Sequence, residues 1–301
     1  MKIKKALPLI CFSTTSLSQA DKLASVTASD FLFEKSDATS PSYNLSYTIA
    51  SEVDFDNVSG DFSYERIKLN LPLSAPIRIN SNTSLLVGFA YEYTNLDLEL
   101  GSSFEEDLID TRLNFRWLYK RPGSNWSWSL GLSPGLVTDG NNISSDDFAI
   151  NYNLGFRYKV SDGFAWTGGV FVSSNSKENK VFPGIGFQWK PTDDTQLDFT
   201  GIGLKGYWQP SDNWIVRLNS GFNGGIWNLS QDGRNLDLEL ESYQVSLGVE
   251  RHIGGKWWLG AHAGVTLANE LELETSAGNE IFSEDAEEGL FTRIELKALI
   301  W

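Results

Sequence analysis

The chain holds two histidines and one cysteine, so the inventory of possible catalytic bases is short. Nucleophilic catalysis needs a hydroxyl or thiol within reach of a base. His262 is followed by Ala263-Gly264, with no serine two residues on, and it alternates with Trp258, Gly260, Gly264 and Thr266. It reads as a histidine packed on one face of a strand. His252 precedes Ile253-Gly254 and reads as an exposed turn residue. No His/Cys cluster has metal-ligand spacing, and no Gly-rich stretch leads into a helix that could cradle phosphate. Gly168-Gly169 and Gly224-Gly225 read as kinks within strands. The expectation is no enzyme, no catalytic residue, no cofactor and no dedicated metal set.

Carboxylates are the more informative chemistry. The hexapeptide Asn-Leu-Asp-Leu-Glu-Leu occurs at 95–100 and again at 235–240, and Asn269-Glu-Leu-Glu-Leu-Glu274 echoes it. In a strand this places the leucines on one face and Asp97/Glu99, Asp237/Glu239 and Glu270/Glu272/Glu274 on the other. Such rows could form a vestibule that concentrates cations, or bind Ca²⁺ or Mg²⁺. A solvated rim that keeps the segments soluble is the simpler alternative.

The elements that must position these residues follow from period-2 alternation. Phe148, Ile150, Tyr152, Leu154, Phe156, Tyr158 and Val160 form one apolar face. Ile109, Thr111, Leu113, Phe115, Trp117 and Tyr119 stand opposite Asp110, Arg112, Asn114 and Arg116. These runs are long enough for the 9–11 residues of a strand that crosses a bilayer. Short turns fall at 121–125, 161–163, 191–194, 210–213 and 254–255, and longer polar connectors alternate with most of them, at 95–107, 139–146, 174–180, 229–235 and 274–288. Strands are expected near 45–56, 62–73, 83–97, 108–120, 125–138, 147–160, 163–174, 181–190, 195–200, 203–209, 213–228, 236–252, 256–273 and 288–301. The pair within 195–209 is too short to cross a bilayer.

Tryptophan positions test that topology independently. Trp117, Trp126, Trp128, Trp166, Trp189, Trp208, Trp214, Trp257 and Trp258 all lie close to short turns, whereas Trp227 does not. Indole rings collect at membrane–water interfaces because the ring is apolar and its N–H seeks water. Trp117, Trp126, Trp128, Trp166, Trp189, Trp214 and Trp257 are therefore expected to form one aromatic girdle.

Residues 1–20 read as an export signal. Met1-Lys-Ile-Lys-Lys is basic, Ala6 to Phe12 is apolar, and Ser18-Gln-Ala20 presents small residues before a cleavage point. Cleavage would remove the single Cys11. The net charge is −15, and the leader carries three lysines but no acid, so the remainder is more acidic still. That balance argues against a nucleic-acid partner.

With a leader, long alternating strands and an aromatic last residue, Trp301, the chain resembles Gram-negative outer-membrane β-barrel proteins. More loosely it resembles uncharacterised porin- and transporter-like barrel families of this length. The resemblance implies an antiparallel transmembrane barrel of 12–14 strands over 44–301, after a polar lead-in at 21–43, with short periplasmic turns and longer acidic extracellular loops. It also implies a bacterial outer-membrane location, contact with outer-membrane lipids and lipopolysaccharide, divalent cations bridging acidic loops, and insertion machinery that reads the C-terminal strand. The candidate lining residues are Asp97, Glu99, Asp110, Arg112, Arg116, Arg157, Arg217, Asp237, Glu239 and Glu272. Two functions remain: a passive channel for ions or small polar solutes with an acidic mouth, or a closed barrel that presents its loops to lipopolysaccharide or partners.

Overall fold

The computed structural model describes residues 42–301 except 75, 101–102, 142, 175–178, 202, 232–233, 276–277 and 300–301. The expected leader, most of the lead-in and Trp301 lie outside the described residues. The strands are β1 (Ser42–Asp54), β2 (Asp61–Pro72), β3 (Ile77–Asn80), β4 (Thr83–Glu99), β5 (Ser103–Lys120), β6 (Trp126–Thr138), β7 (Phe148–Ser161) and β8 (Phe164–Ser174). They continue with β9 (Asn179–Thr192), β10 (Thr195–Phe199), β11 (Leu204–Ser211), β12 (Trp214–Gln231), β13 (Arg234–Gly254), β14 (Trp257–Thr275), β15 (Glu280–Ala286) and β16 (Gly289–Leu299).

Antiparallel pairing of neighbours around the ring and of β1 with β16 closes a barrel of 14 strands. Two strands are interrupted rather than additional. β3 continues β2 along the foot of β4, and β15 continues β16 along the upper part of β14. Closure at the β1–β16 seam leaves no terminal strand with a free edge there, which is what hydrocarbon demands of a spanning sheet. Leu113, Leu130, Leu154, Val170, Leu247 and Ile294 face out and are exposed, while Asn114, Asn151, Ser246 and Glu295 face in and are buried.

The acidic segments differ from the expected loops. β4 runs to Glu99 and β5 starts at Ser103, so 95–107 is nearly all strand, and β12 and β13 pair up to Gln231↔Arg234. The connector at 274–288 contains β15. These strands are 17–21 residues long. They therefore extend well past a bilayer, into water.

Polarity inverts where they emerge. On β4 the inward residues read Ala90, Glu92, Thr94, Leu96, Leu98, and the outward ones read Tyr91, Tyr93, Asn95, Asp97, Glu99. On β13 the buried face reads Glu250, Ser246, Gln244, Ser242, Leu240, Leu238, Leu236. No strand has flipped there; its surroundings have changed. Below, lipid stands outside and apolar side chains belong there; above, water does. On β14 a bulge at Ala268, the one non-Gly residue with positive φ (48°) among the described residues, changes the phase so that Leu271 also points in. Leu96, Leu98, Leu108, Trp227, Leu229, Leu236, Leu238, Leu240 and Leu271 form one apolar core inside this crown.

Candidate functional site

The inner wall of the membrane half carries two tiers of ion pairs. In the upper tier, Arg66 and Lys68 on β2 flank Glu92 on β4 at 3.2 and 2.8 Å. Arg66 also donates to Thr94 Oγ1 and, across the lumen, to Asn223 Oδ1 of β12, and its guanidinium lies over the Tyr64 ring. Tyr64 accepts from Asn223 and Gln244, and Gln244 accepts from Arg293. In the lower tier, Glu250 accepts from Arg217 and Lys297, Lys297 lies 3.3 Å from Glu295, and Asn44 donates to Glu295. Buried charge is tolerated only when paired, and here each carboxylate has a cation beside it.

Glu250, His262 and Glu295 bring three metal-capable side chains within 4.8 Å. Arg217 and Lys297 already balance both carboxylates, so the cluster needs no cation for neutrality. His262 Nε2 lies 3.3 Å from Glu295, and the ring fills the space left by Gly248, where a Cβ would fall 2.0 Å from Nδ1.

The opposite inner wall, β6 to β9, is different. Ser127, Ser129, Gly131, Ser133 and Gly135 on β6 face Asn151, Asn153 and Gly155 on β7, with Thr167, Gly169 and Ser173 beyond. The upper end of the β12–β13 hairpin leans across to this wall. Asn228 bridges Thr138 of β6 in parallel, Asp139 N–H donates to the Asn228 carbonyl, and Ser230 N–H donates to Asp139. Between the hairpin and the wall lies a small, partly open chamber lined by Asp110, Arg112, Val137, Ala149, Ser173, Lys180, Phe182, Phe222, Ile226, Glu239 and Glu241 among others. Its cations are matched: Arg112 to Asp110 at 2.8 Å and Lys180 to Glu239 at 2.7 Å.

Each sequence-selected residue has a place in this geometry. Asp110, Arg112, Arg116, Arg157 and Arg217 face inward, Arg116 donating to Ser129 and Arg217 to Glu250. Glu239 lines the chamber. Asp237 is buried and accepts from Asn228. Asp97, Glu99 and Glu272 correct the expectation. They stand on the outer surface of the crown because their strands have left the lipid, and the leucines between them take the interior. Lys180 and Arg66 were not among the selected residues. Lys180 fell within a polar connector, although it shares phase with Phe182, Gly184 and Gln188 of β9.

Trp126, Trp128, Trp166, Trp189, Trp214 and Trp257 are 41–48% exposed on the outside near the short turns, and Trp117 is half-buried beside them. Trp126 stacks on Trp128 at 5.9 Å, and Arg251 sits over Trp214 at 5.3 Å. In the turn after β7, Asp162 accepts a hydrogen bond from Lys159, which holds its carboxyl below the usual range. Trp258 points inward, buried with Ile215.

A family model described as a domain of unknown function, DUF6268, matches residues 43–298. No curated protein matches the chain. Among solved structures, the KdgM porin is 8% identical, covering 86% of this chain and 99% of its own, with a TM-score of 0.37. The toluene transporter TodX of Pseudomonas putida is 9% identical, covering 93% of each, with a TM-score of 0.38. The translocator domain of the autotransporter NalP from Neisseria meningitidis is 11% identical, covering 96% and 99%, with a TM-score of 0.34.

Proposed function

We propose, from the premise that the chain belongs to the DUF6268 family of domains of unknown function, that it is a passive outer-membrane channel for ions or small polar solutes. The chamber carries this reading. It lies against the small-residue wall, and charged side chains of both signs line it. A solute moving along that wall would meet Ser, Gly and Asn side chains and a succession of fixed charges, the means by which pores select. Catalysis has no part in this reading, since neither histidine has a nucleophile beside it. The location follows as the bacterial outer membrane, reached by export and cleavage near Ala20. Partners would be outer-membrane lipids, lipopolysaccharide bridged through Ca²⁺ or Mg²⁺ to outward acids such as Asp97 and Glu272, and insertion machinery engaging the C-terminal strand.

Conductance in planar bilayers tests it. Discrete steps with a cation-biased reversal potential are expected, and the bias should fall in Glu239→Gln/Glu241→Gln. A barrel that inserts, resists SDS until heated and never conducts would sink the channel. The second reading, a closed barrel presenting its crown, would then stand. One observation favours that second reading: the apolar core drawn from most of the strands lies across the extracellular end.

A further inference from the structure

Three buried donors on the inner wall find no acceptor among the described residues: Arg112 Nη1, Asn114 Nδ2 and Asn151 Nδ2. The three residues are 8, 6 and 2% exposed. They stand close together. Arg112 and Asn114 are successive inward residues of β5, and Asn151 lies two strands on, opposite Ser133 of β6. The small residues Ser133 and Gly135 form the floor between them, with Gly135 directly opposite Arg112. A Cβ on Gly135 would fall 2.6 Å from Arg112 Cγ, so the arginine stem passes over that glycine. Both oxygens of Asp110 hold Arg112 by Nε, at 2.8 and 3.0 Å, which orients the guanidinium and leaves Nη1 for a ligand. Ser173 donates to Asn151 Oδ1 and so fixes which end of that amide carries the N–H groups. Arg112 and Ser173 both line the chamber. A buried N–H without an acceptor is costly, and three in one place mark where an acceptor belongs. A carboxylate has lone pairs enough for a guanidinium and two amides at once.

The hairpin side of the chamber has the opposite chemistry. Glu239 and Glu241 stand two positions apart on one face of β13, with Lys180 at 2.7 and 4.0 Å. Directly across on β14 are Glu272 and Glu270. Glu239 and Glu241 also hydrogen-bond one another. Two carboxyl groups in such contact hold a proton between them, because like charges that close do not both ionise. Burial, offset in part by Lys180 and reinforced by Glu241, raises Glu239 to about 8. An ammonium can take the place of that proton and bond both carboxylates. Between the two sides the lining is apolar, with Val137 and Ala149 on the wall and Phe182, Phe222 and Ile226 around them.

Neither half of this chemistry suits a simple ion. An anion would satisfy the wall but face the acids of the hairpin, and a cation would satisfy the hairpin but face the guanidinium. We propose that the chamber binds a small zwitterion, its carboxylate on Arg112, Asn114 and Asn151, its ammonium on Glu239 and Glu241, and a short apolar chain between. This deepens the channel reading by naming a solute class, and it rests on that reading for transport, whereas the site itself needs only the folded barrel.

Saturation-transfer NMR on the full barrel in deuterated detergent reads binding directly. The probes are glycine, β-alanine, 4-aminobutanoate and 6-aminohexanoate, with butanoate and butylammonium as the two halves. At least one zwitterion should bind about fivefold or more tighter than either half. No transfer to any zwitterion, or equal binding of the halves, would overturn the proposal. Two variants then locate the ends. Glu241→Gln should abolish the zwitterion's advantage over butanoate, and Arg112→Lys, which keeps the charge beside Asp110 but removes Nη1, should shrink its advantage over butylammonium about fivefold. Asn151→Leu removes a donor without touching a charge and replaces Arg112→Lys should that variant fail to fold. His252→Ala, in an exposed turn, should bind as the parent does. Variants that kept both advantages would overturn the placement of the ligand. The same proteins in planar bilayers separate the two readings. Silent bilayers with a bound zwitterion would reject the channel and keep the site, and conducting bilayers with none bound would do the reverse.

Discussion

The membrane half and the crown are built from the same strands with opposite polarity. Below, apolar residues such as Leu113, Leu154 and Leu247 face outward, and the interior is Arg66, Glu92, Arg217 and Glu250 held in ion pairs. Above, Asp97, Glu99 and Glu272 face outward and a leucine core with Trp227 fills the inside. The lesson is that inside and outside carry no fixed chemistry along a long strand. The solvent at each height sets it, and the height at which polarity inverts, between Tyr93 and Asp97 on β4, marks one face of the bilayer.

If the halves are held by different forces, they should break differently. Glu250→Ala leaves Arg217 and Lys297 buried without their carboxylate and should cost about 3–5 kcal/mol in denaturant unfolding of the lipid-reconstituted barrel, while leaving the crown's exchange protection in place until the barrel itself opens. Leu238→Ala, fully buried in the crown, should cost about 2–5 kcal/mol. That loss should appear as faster amide exchange at 96–108 and 227–240, with heat-resistant migration in SDS retained. Loss of both readouts together in either variant would show that the halves unfold as one unit. Trp126→Ala removes the stacking with Trp128 and should lower barrel stability by about 0.5–1.5 kcal/mol without altering crown exchange.

The smallest effect is one of pH. Burial, then the neighbouring Glu272 and Glu241, push Glu270 on the crown up to about 7. A carboxyl whose value is raised on folding favours the protonated folded state. Its contribution is therefore complete below the ordinary carboxylate range and is lost as pH rises through about 7. Crown exchange should be slower at pH 5 than at pH 8, and Glu270→Gln should remove part of that difference. An opposite slope would remove the acid rows as its cause.

The strands, their turns and the outward tryptophans were legible because period-2 alternation and turn residues are local signals. The side taken by Asp97, Glu99 and Glu272 is not, because a single rule of polarity fails along strands that cross two solvents. The information was present: Leu96 and Leu98 keep the phase of Glu92 and Thr94. The chamber was less accessible still. It depends on a hairpin leaning across the lumen past two short strands, and on Lys180 reaching Glu239, 59 residues away. No local pattern reports that. Even so, the short β10–β11 pair and the isolated Trp227 were both visible as exceptions, and both are where the regular barrel gives way.

The seam between β1 and β16 has a kinetic consequence. Asn44 and Glu295, bonded across it, are separated by 251 positions in the chain. The lower tier of charges therefore cannot be completed until the final strand exists, and every earlier state of the chain carries two unsatisfied edges. Contacts of such long sequence separation form late and slowly. The seam works as a final latch, so a polypeptide cut short anywhere before β16 stays an open, sticky sheet rather than a smaller barrel.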